Sequence, residues 1–366
     1  MSKFPTHADI HVPEATVVAS APPPVYEATV SLTKSFEERK QILKTMYKFA
    51  PGIANQFNES AEMFSRRFWI VDNSGSMATS DGHVLIEGSA GVEGMVSCSR
   101  WEELGSSILW HANMAANLEV PTEFRLLNPP GMRAAQIVHV GNGNPKLEMS
   151  EISKAMGAGP TGRTPLCKHI NEVVAEVRAI ADDLRSSGKK ALVVVASDGA
   201  STDGDVARAL RPFHDLPVWL VVRLCTDDDS VVDYWNDIDE ELELDMDVLD
   251  DLCGEAAEVT AVNPWLIYGV NLHKLREWGS TAKEFDLLDE RPFKPVEVRN
   301  FLNLIFGPAG AVSHPDLGYD KFVQSIERAE KNCPKVYDPL RKRYRHWVDQ
   351  KKLKKAVGQG EGCVIS

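Results

Sequence analysis

The stretch Phe68-Trp69-Ile70-Val71-Asp72-Asn73-Ser74-Gly75-Ser76-Met77 is an apolar run of strand type that stops at a carboxylate, followed by hydroxyls at two alternate positions. Asp72, Ser74 and Ser76 can point short oxygen ligands into one loop crest. Oxygen-only donors suit a hard octahedral cation such as Mg²⁺, or Mn²⁺ more loosely, whereas zinc favours His or Cys. One loop cannot complete such a shell. Two later segments offer further oxygens: Gly162-Arg163-Thr164-Pro165-Leu166, which opens a helical pattern, and Ala191-Leu192-Val193-Val194-Val195-Ala196-Ser197-Asp198-Gly199, a second apolar strand ending in Asp. Thr161, three residues before Thr164, offers the same hydroxyl. Taken singly, Ser74 and Ser76 read as caps and turn formers, because such side chains hydrogen-bond their own backbone. Three segments that each end a strand or open a helix point instead to a site, since ligands in open α/β sheets gather beyond the strand ends.

In order and type, Asp72-x-Ser74-x-Ser76, then Thr164, then Asp198-Gly199 resembles the metal-ion-dependent adhesion site of von Willebrand factor A-type domains. The resemblance runs from near Arg66 to near Gly269. It implies that Asp72, Ser74, Ser76 and Thr164 furnish direct or near ligands, that Asp198 acts mostly through water, and that a protein partner's carboxylate completes the shell of Mg²⁺ or Mn²⁺. A binding module is therefore expected rather than an enzyme. A Mg²⁺-dependent phosphotransferase of the haloacid dehalogenase type needs a second Asp where Ser74 stands. A serine hydrolase needs a GxSxG elbow, which the residues around Ser74 lack. Gly141-Asn142-Gly143-Asn144 is too short for a phosphate loop and has no Lys. His111, His139 and His169 share no metal spacing with another His or Cys and read as packed or surface residues. A metal-independent scaffold is the remaining alternative.

The rest of the chain places this segment. At 366 residues, 43% hydrophobic and 25% charged, it can form one large α/β domain with additions. Its six cysteines are scattered, with no zinc or disulfide spacing, which fits a reducing compartment. No signal-peptide core, second-position Gly or apolar run of about 18 residues is present. Residues 1–30, with Pro5, Pro13, Pro22, Pro23 and Pro24, read as a disordered arm. Residues 31–65 read as an N-terminal helix packed on the core, capped by Ser35 and stopped by Pro51-Gly52. Residues 66–269 hold the α/β domain, whose alternating strands and helices predict a Rossmann-like, doubly wound, mostly parallel sheet. The strands expected are Phe68 to Asp72, Glu123 to Leu127, Ala135 to Val140, the run ending at Asp198, and Val218 to Leu224. Helices are expected over Trp101 to Leu118 and Pro165 to Ser186, with a small hairpin around His83-Val84-Leu85-Ile86-Glu87 and a short antiparallel edge strand. Asp227-Asp228-Asp229 reads as helix capping, with a second metal site as the alternative.

Residues 270–335 read as a helical extension: Val270 to Trp278, Pro295 to Phe306 and Tyr319 to Lys331. Residues 336–366 read as a basic helix, Val336 to Lys355, and a tail. Cys363-Val364-Ile365-Ser366 matches a CaaX prenylation box in its farnesyl form, making Cys363 the lipidation residue. Arg341 to Lys355 carries eight basic residues against one acidic, while the whole chain is −13, so the remainder stands near −20 (−13 less +7). One lipid chain binds membranes marginally, and a polybasic segment adds roughly 1 kcal/mol per Lys or Arg near an anionic leaflet. The expectation is a cytosol-facing peripheral membrane adaptor. Nucleic acid is not an expected partner, because the basic stripe is short and the body acidic.

Overall fold

The computed structural model describes residues 32–358 apart from 89, 90, 132, 227 and 243. The expected arm at residues 1–30 and the expected lipid acceptor Cys363 lie outside the described residues.

Helix α1 (Phe36–Thr45) opens with Ser35 and Glu38 in a reciprocal capping box. Contrary to expectation, Pro51 does not stop that helix, which ends at Thr45 with Met46 as its C-cap; Pro51 instead begins α2 (Pro51–Met63), a helix not expected from the sequence. Proline suits a first helical position because its missing amide would be unbonded there anyway. Strand β1 (Phe64–Val71) starts before Phe68, taking in the polar Ser65-Arg66-Arg67, of which Arg67 is buried by pairing rather than by hydrophobicity. Its guanidinium donates to Trp278 O (2.6 Å) and Ser60 O (2.8 Å) and lies 4.1 Å from the Trp278 ring centroid.

After the crest, β2 (Gly82–Gly88) and β3 (Gly91–Cys98) form the expected antiparallel hairpin. Helix α3 (Arg100–Leu118) leads to β4 (Thr122–Leu126) and the edge strand β5 (Ile137–Val140). Helix α4 (Pro145–Met156), capped by Asn144, was missed in the sequence although Asn-Pro is a helix-start signal. Then come α5 (Leu166–Ser186), β6 (Lys190–Ser197), the short α6 (Val206–Leu210), β7 (Val218–Leu224), α7 (Asp229–Leu242) and β8 (Met246–Leu249). Asp228 accepts from the Ser230 amide (2.9 Å) and hydroxyl (2.6 Å) at the start of α7, the capping role.

The sheet order is β5-β4-β1-β6-β7-β8, parallel except for β5. The two faces follow from strand alternation. Trp69, Val71, Leu192 and Val194 face a core built with α2 and α3, while Phe68, Ile70, Val193 and Val195 face one built with α5, α6 and α7. The chain is thus a doubly wound α/β fold with helices on both faces.

The C-terminal helices α8 (Leu252–Val262), α9 (Val270–Glu277), α10 (Lys283–Asp286), α11 (Pro295–Phe306) and α12 (Tyr319–Lys331) join the first of these cores. Helix α11 lies so close to α2 that a Cβ at Gly52 would fall 2.2 Å from Leu304 O.

The single basic helix expected from Val336 to Lys355 is not formed. The segment is a hairpin, β9 (Val336–Asp338) with β10 (Arg343–Arg345), followed by α13 (Gln350–Gly358). Pro339 sits in the hairpin turn, where it would have broken a helix. Nor does the segment protrude. Trp347, Val348 and Leu353 are buried in the main core, and backbone bonds tie Ile267 N to Trp347 O (2.9 Å) and Asp349 N to Trp265 O (2.8 Å).

Candidate metal site

Strand order decides where the proposed ligands meet. From β1 the chain proceeds outward through β4 and β5, and β6, on the other side of β1, starts the opposite progression. The crevice at such a reversal, beyond the carboxyl ends of the strands, is where open α/β sheets bind ligands. Asp72 follows β1 and Asp198 follows β6, so both carboxylates flank that reversal.

The crest is tightly wired. Asp72 Oδ1 accepts from the Ser74 amide (2.8 Å) and Oδ2 from the Ser197 hydroxyl (2.7 Å). The Ser74 and Ser76 hydroxyl oxygens are 2.9 Å apart, and Ser76 Oγ donates to Asp198 Oδ1 at 2.9 Å. Asp72, Ser74, Thr164 and Asp198 are buried, while Ser76 and Thr161 are exposed. The Thr164 loop reaches the crest through its backbone: Gly75 N donates to Gly162 O (3.1 Å) and Thr161 N to Asn73 O (2.6 Å). Thr164 is itself gripped from behind, its amide donating to Thr202 Oγ1 (3.2 Å) and its carbonyl accepting from Thr202 N (2.9 Å). Among the described residues its hydroxyl makes no hydrogen bond. Gly162 has φ +84°, and a Cβ there would meet Asn128 Oδ1 at 2.6 Å, so the loop needs glycine.

The donor set fits a hard cation in chemistry, and three of its five members lie in a hydrogen-bonded row whose spacing matches an octahedral edge. Adjacent corners of an octahedron with metal–oxygen bonds of about 2.05 Å are separated by about 2.9 Å, the spacing of Ser74 Oγ, Ser76 Oγ and Asp198 Oδ1 along the crest. Burial raises the Asp72 pKa, opposed by the Ser197 and Ser74 hydrogen bonds, with Asp198 nearby adding to the rise. A cation beside such a carboxylate would favour its charged form. One feature works against cation binding. Arg100, the first residue of α3, donates from Nη1 to Asp198 Oδ2 (3.0 Å) and from Nε to Asp81 Oδ1 (2.7 Å), bringing a fixed positive charge to the edge of the crest.

Ser197, Asn73, Arg100 and Asp81 were not singled out in the sequence. Asn73 clamps two strand ends, donating to Asn128 O (3.0 Å) and accepting from Asn128 N (2.8 Å). A buried-polar position within an apolar strand was the available signal for Ser197. For Arg100 there was none. The histidines lie in three settings: His111 is buried against Glu277 (2.7 Å), His169 Nε2 lies 3.0 Å from Leu127 O, and the His139 side chain is half exposed. Among the described residues no helix is long and apolar enough to cross a membrane.

No protein-family model matches the chain, and no curated protein matches it. Among solved structures, it is similar to the SpRpn10 VWA domain, at 10% identity over 50% of this chain and 87% of that one, with a TM-score of 0.30. It is also similar to the conserved hypothetical protein BatB from Bacteroides thetaiotaomicron, at 12% identity over 58% of this chain and 98% of that one, with a TM-score of 0.31. Likenesses this distant bear on neither site nor partner, and the fold class rests on the sheet order and helix layers themselves.

Proposed function

We propose that this chain is a protein-binding module whose crest holds Mg²⁺ or Mn²⁺ through Asp72, Ser74, Ser76, Thr164 and Asp198, with the partner supplying a carboxylate. The observation that carries this reading is the run of oxygens from Ser74 to Ser76 to Asp198 at 2.9 Å intervals beside buried Asp72. The order of the three segments, which resembles an A-type adhesion site, agrees with it. A bound dication would supply a Lewis-acidic position for an anionic oxygen. The chain's own residues do the rest: Ser197 and the Ser74 amide fix the Asp72 carboxylate, Thr202 fixes the Thr164 loop, and Asn73 holds the strand ends together. A binding role is favoured over Mg²⁺-dependent phosphotransfer because the crest offers no second carboxylate two residues after Asp72 for acid/base work.

Isothermal titration with MgCl₂ and MnCl₂ tests the core of the proposal. Saturable heat is expected for the natural chain and none for Asp72→Ala. Silence in both proteins would replace it with a second reading, a metal-independent scaffold, which the Arg100–Asp198 ion pair favours. Capture of the protein partner should likewise fail in chelator.

The proposal has a membrane clause that rests on sequence. Cys363 is the lipid acceptor, and the exposed Arg341, Lys342, Arg343, Lys351, Lys354 and Lys355 supply attraction to an anionic leaflet. Because the basic segment is docked on the body, it would bring the acidic domain to the membrane rather than hold it at the end of a helix. A fluorescent fusion that is fully soluble both with Cys363 and as Cys363→Ser would remove this clause and leave the binding-module reading intact.

A further inference from the structure

The C-terminal hairpin leaves a cavity where it docks on the body. Residues 263–269 run beside residues 347–349, held by the bonds from Ile267 N to Trp347 O and Asp349 N to Trp265 O and by a bridge between Leu266 and Val348. Between that loop, the last turn of α8, the β9–β10 hairpin and the first turn of α13 lies a space of about 290 Å³, lined by none of the crest residues. Pro264, Leu266 and Ile267 give it an apolar side. Arg341, Arg345 and Lys352 bring three cations to it.

Two carboxylates position all three. Asp338 accepts from Arg345 Nη1 (2.9 Å) and from the Arg341 amide (3.0 Å), while Asp349 accepts from Arg345 Nη2 (3.0 Å) and from the Lys352 amide (3.2 Å). Arg345 is thereby engaged by protein partners. Arg341 and Lys352 are anchored through their amides and not their heads: among the described residues neither side chain makes a hydrogen bond or an ion pair, and both reach solvent, Arg341 exposed and Lys352 half-buried. The local excess is positive, three cations against two carboxylates, in a chain of net charge −13. Arg341 offers a fork that can grip two phosphate oxygens at once, and Lys352 a compact charge with three donors. Two free cations call for a dianion. A phosphomonoester carries close to two negative charges near neutral pH, whereas a carboxylate or a phosphodiester carries one and would leave a cation unanswered.

We propose that this cavity binds a phosphomonoester, its dianion bridging Arg341 and Lys352 and its uncharged body lying against Pro264 and Ile267. Such a group can arrive as a soluble ester or as the headgroup of a membrane lipid. In the second case the cavity adds a lipid-specific contact to the membrane clause above, and the test keeps the two apart.

The test is isothermal titration of the full chain with phenyl phosphate, a dianionic monoester, and methyl phenyl phosphate, a diester with one charge. The monoester is expected to bind with a Kd on the order of 1 mM or below, the diester at least about tenfold more weakly. Arg341→Gln and Lys352→Gln should each weaken the monoester by at least about tenfold. Lys342→Gln combined with Lys355→Gln removes two exposed charges outside the cavity lining and should change its affinity by less than about twofold. No saturable monoester heat up to about 10 mM, a diester that binds equally well, or a Lys342/Lys355 variant that loses as much as Arg341→Gln would each overturn the proposal. Sedimentation of the Cys363→Ser chain with phosphatidylcholine vesicles carrying phosphatidylinositol 4-phosphate, against vesicles of equal charge carrying phosphatidylglycerol, separates the sources. Preference for the former that Arg341→Gln abolishes identifies the lipid headgroup, and monoester heat without that preference identifies a soluble ester; either upholds the cavity. The titration needs neither a prenyl group nor a divalent cation, so its failure leaves the Cys363 and crest readings standing, and theirs leaves it.

Discussion

The Asp72 carboxyl is held between opposing forces: burial favours its neutral form, and donors from Ser197 and the Ser74 amide favour the ion. Ser197→Ala removes the donor to Oδ2, and a loss of about 1–2 kcal/mol in denaturant unfolding is expected, together with weaker divalent binding. Arg100 acts in the other direction. With its guanidinium on Asp198 Oδ2, it repels an incoming dication and occupies one of the oxygens that cation would draw on. Arg100→Met is therefore expected to tighten Mg²⁺ binding by about tenfold, roughly 1.4 kcal/mol; a titration showing weaker binding would mean that the guanidinium orients Asp198 rather than competing for it. Asp72, Ser74, Ser76 and Asp198 were legible in the sequence because a strand-terminal carboxylate and alternating hydroxyls are local patterns. Ser197 to Asp72 and Arg100 to Asp198 are contacts across 125 and 98 positions, and no local pattern announces them.

Among elements, the helix that begins beside the crest depends on a distant cap. The Cys167 and Lys168 amides at the start of α5 donate to Asp203 (3.0 and 2.9 Å), a residue of the loop after β6. Asp203→Ala should cost about 1 kcal/mol, read by thermal or denaturant unfolding. It should also weaken divalent binding by loosening the Thr164 loop, and an unchanged titration would uncouple that loop from the cap. The strands of the sheet apart from β8, the β2–β3 hairpin, helices α3 and α5 and the start of α7 were legible, because periods of 2 and 3.6 survive in single segments, whereas α4, α6, α8 and β8 were not expected. Helix α2 was hidden because Pro51 reads as a terminator as readily as a first residue. The C-terminal hairpin was hidden because Val336, Trp347 and Leu353 can be placed on a helix, and only packing against Leu266 and Ile267 shows them as strand, loop and helix. Trp347→Ala tests that docking: a loss of roughly 3–5 kcal/mol is expected for a buried indole, whereas a loss near zero would mean that the segment is only loosely attached.

At the scale of the molecule the acidic excess is local as well as global. Asp239 and Asp286 approach Asp247, and burial first, with that neighbour second, raises each to about 6. A carboxyl whose folded pKa is raised contributes stability in full below its unfolded value, near about 4, and loses it as pH rises through the folded value. The melting temperature should therefore fall between about pH 4 and about pH 6, and Asp239→Asn with Asp286→Asn should flatten the decline. A melting temperature that rises over that interval would contradict the placement of these groups. The sequence by itself determined that two apolar strands end in carboxylates, that hydroxyls follow the first, and that strands alternate with helices in the parallel-sheet manner, since each is a matter of residues close along the chain. Only the tertiary structure decided that β1 and β6 are neighbours at the reversal of strand order, that Arg100 stands against Asp198, and that Ser197 stands against Asp72. Those depend on which faces pack together, and packing is settled by the burial of the whole chain at once rather than by any one segment.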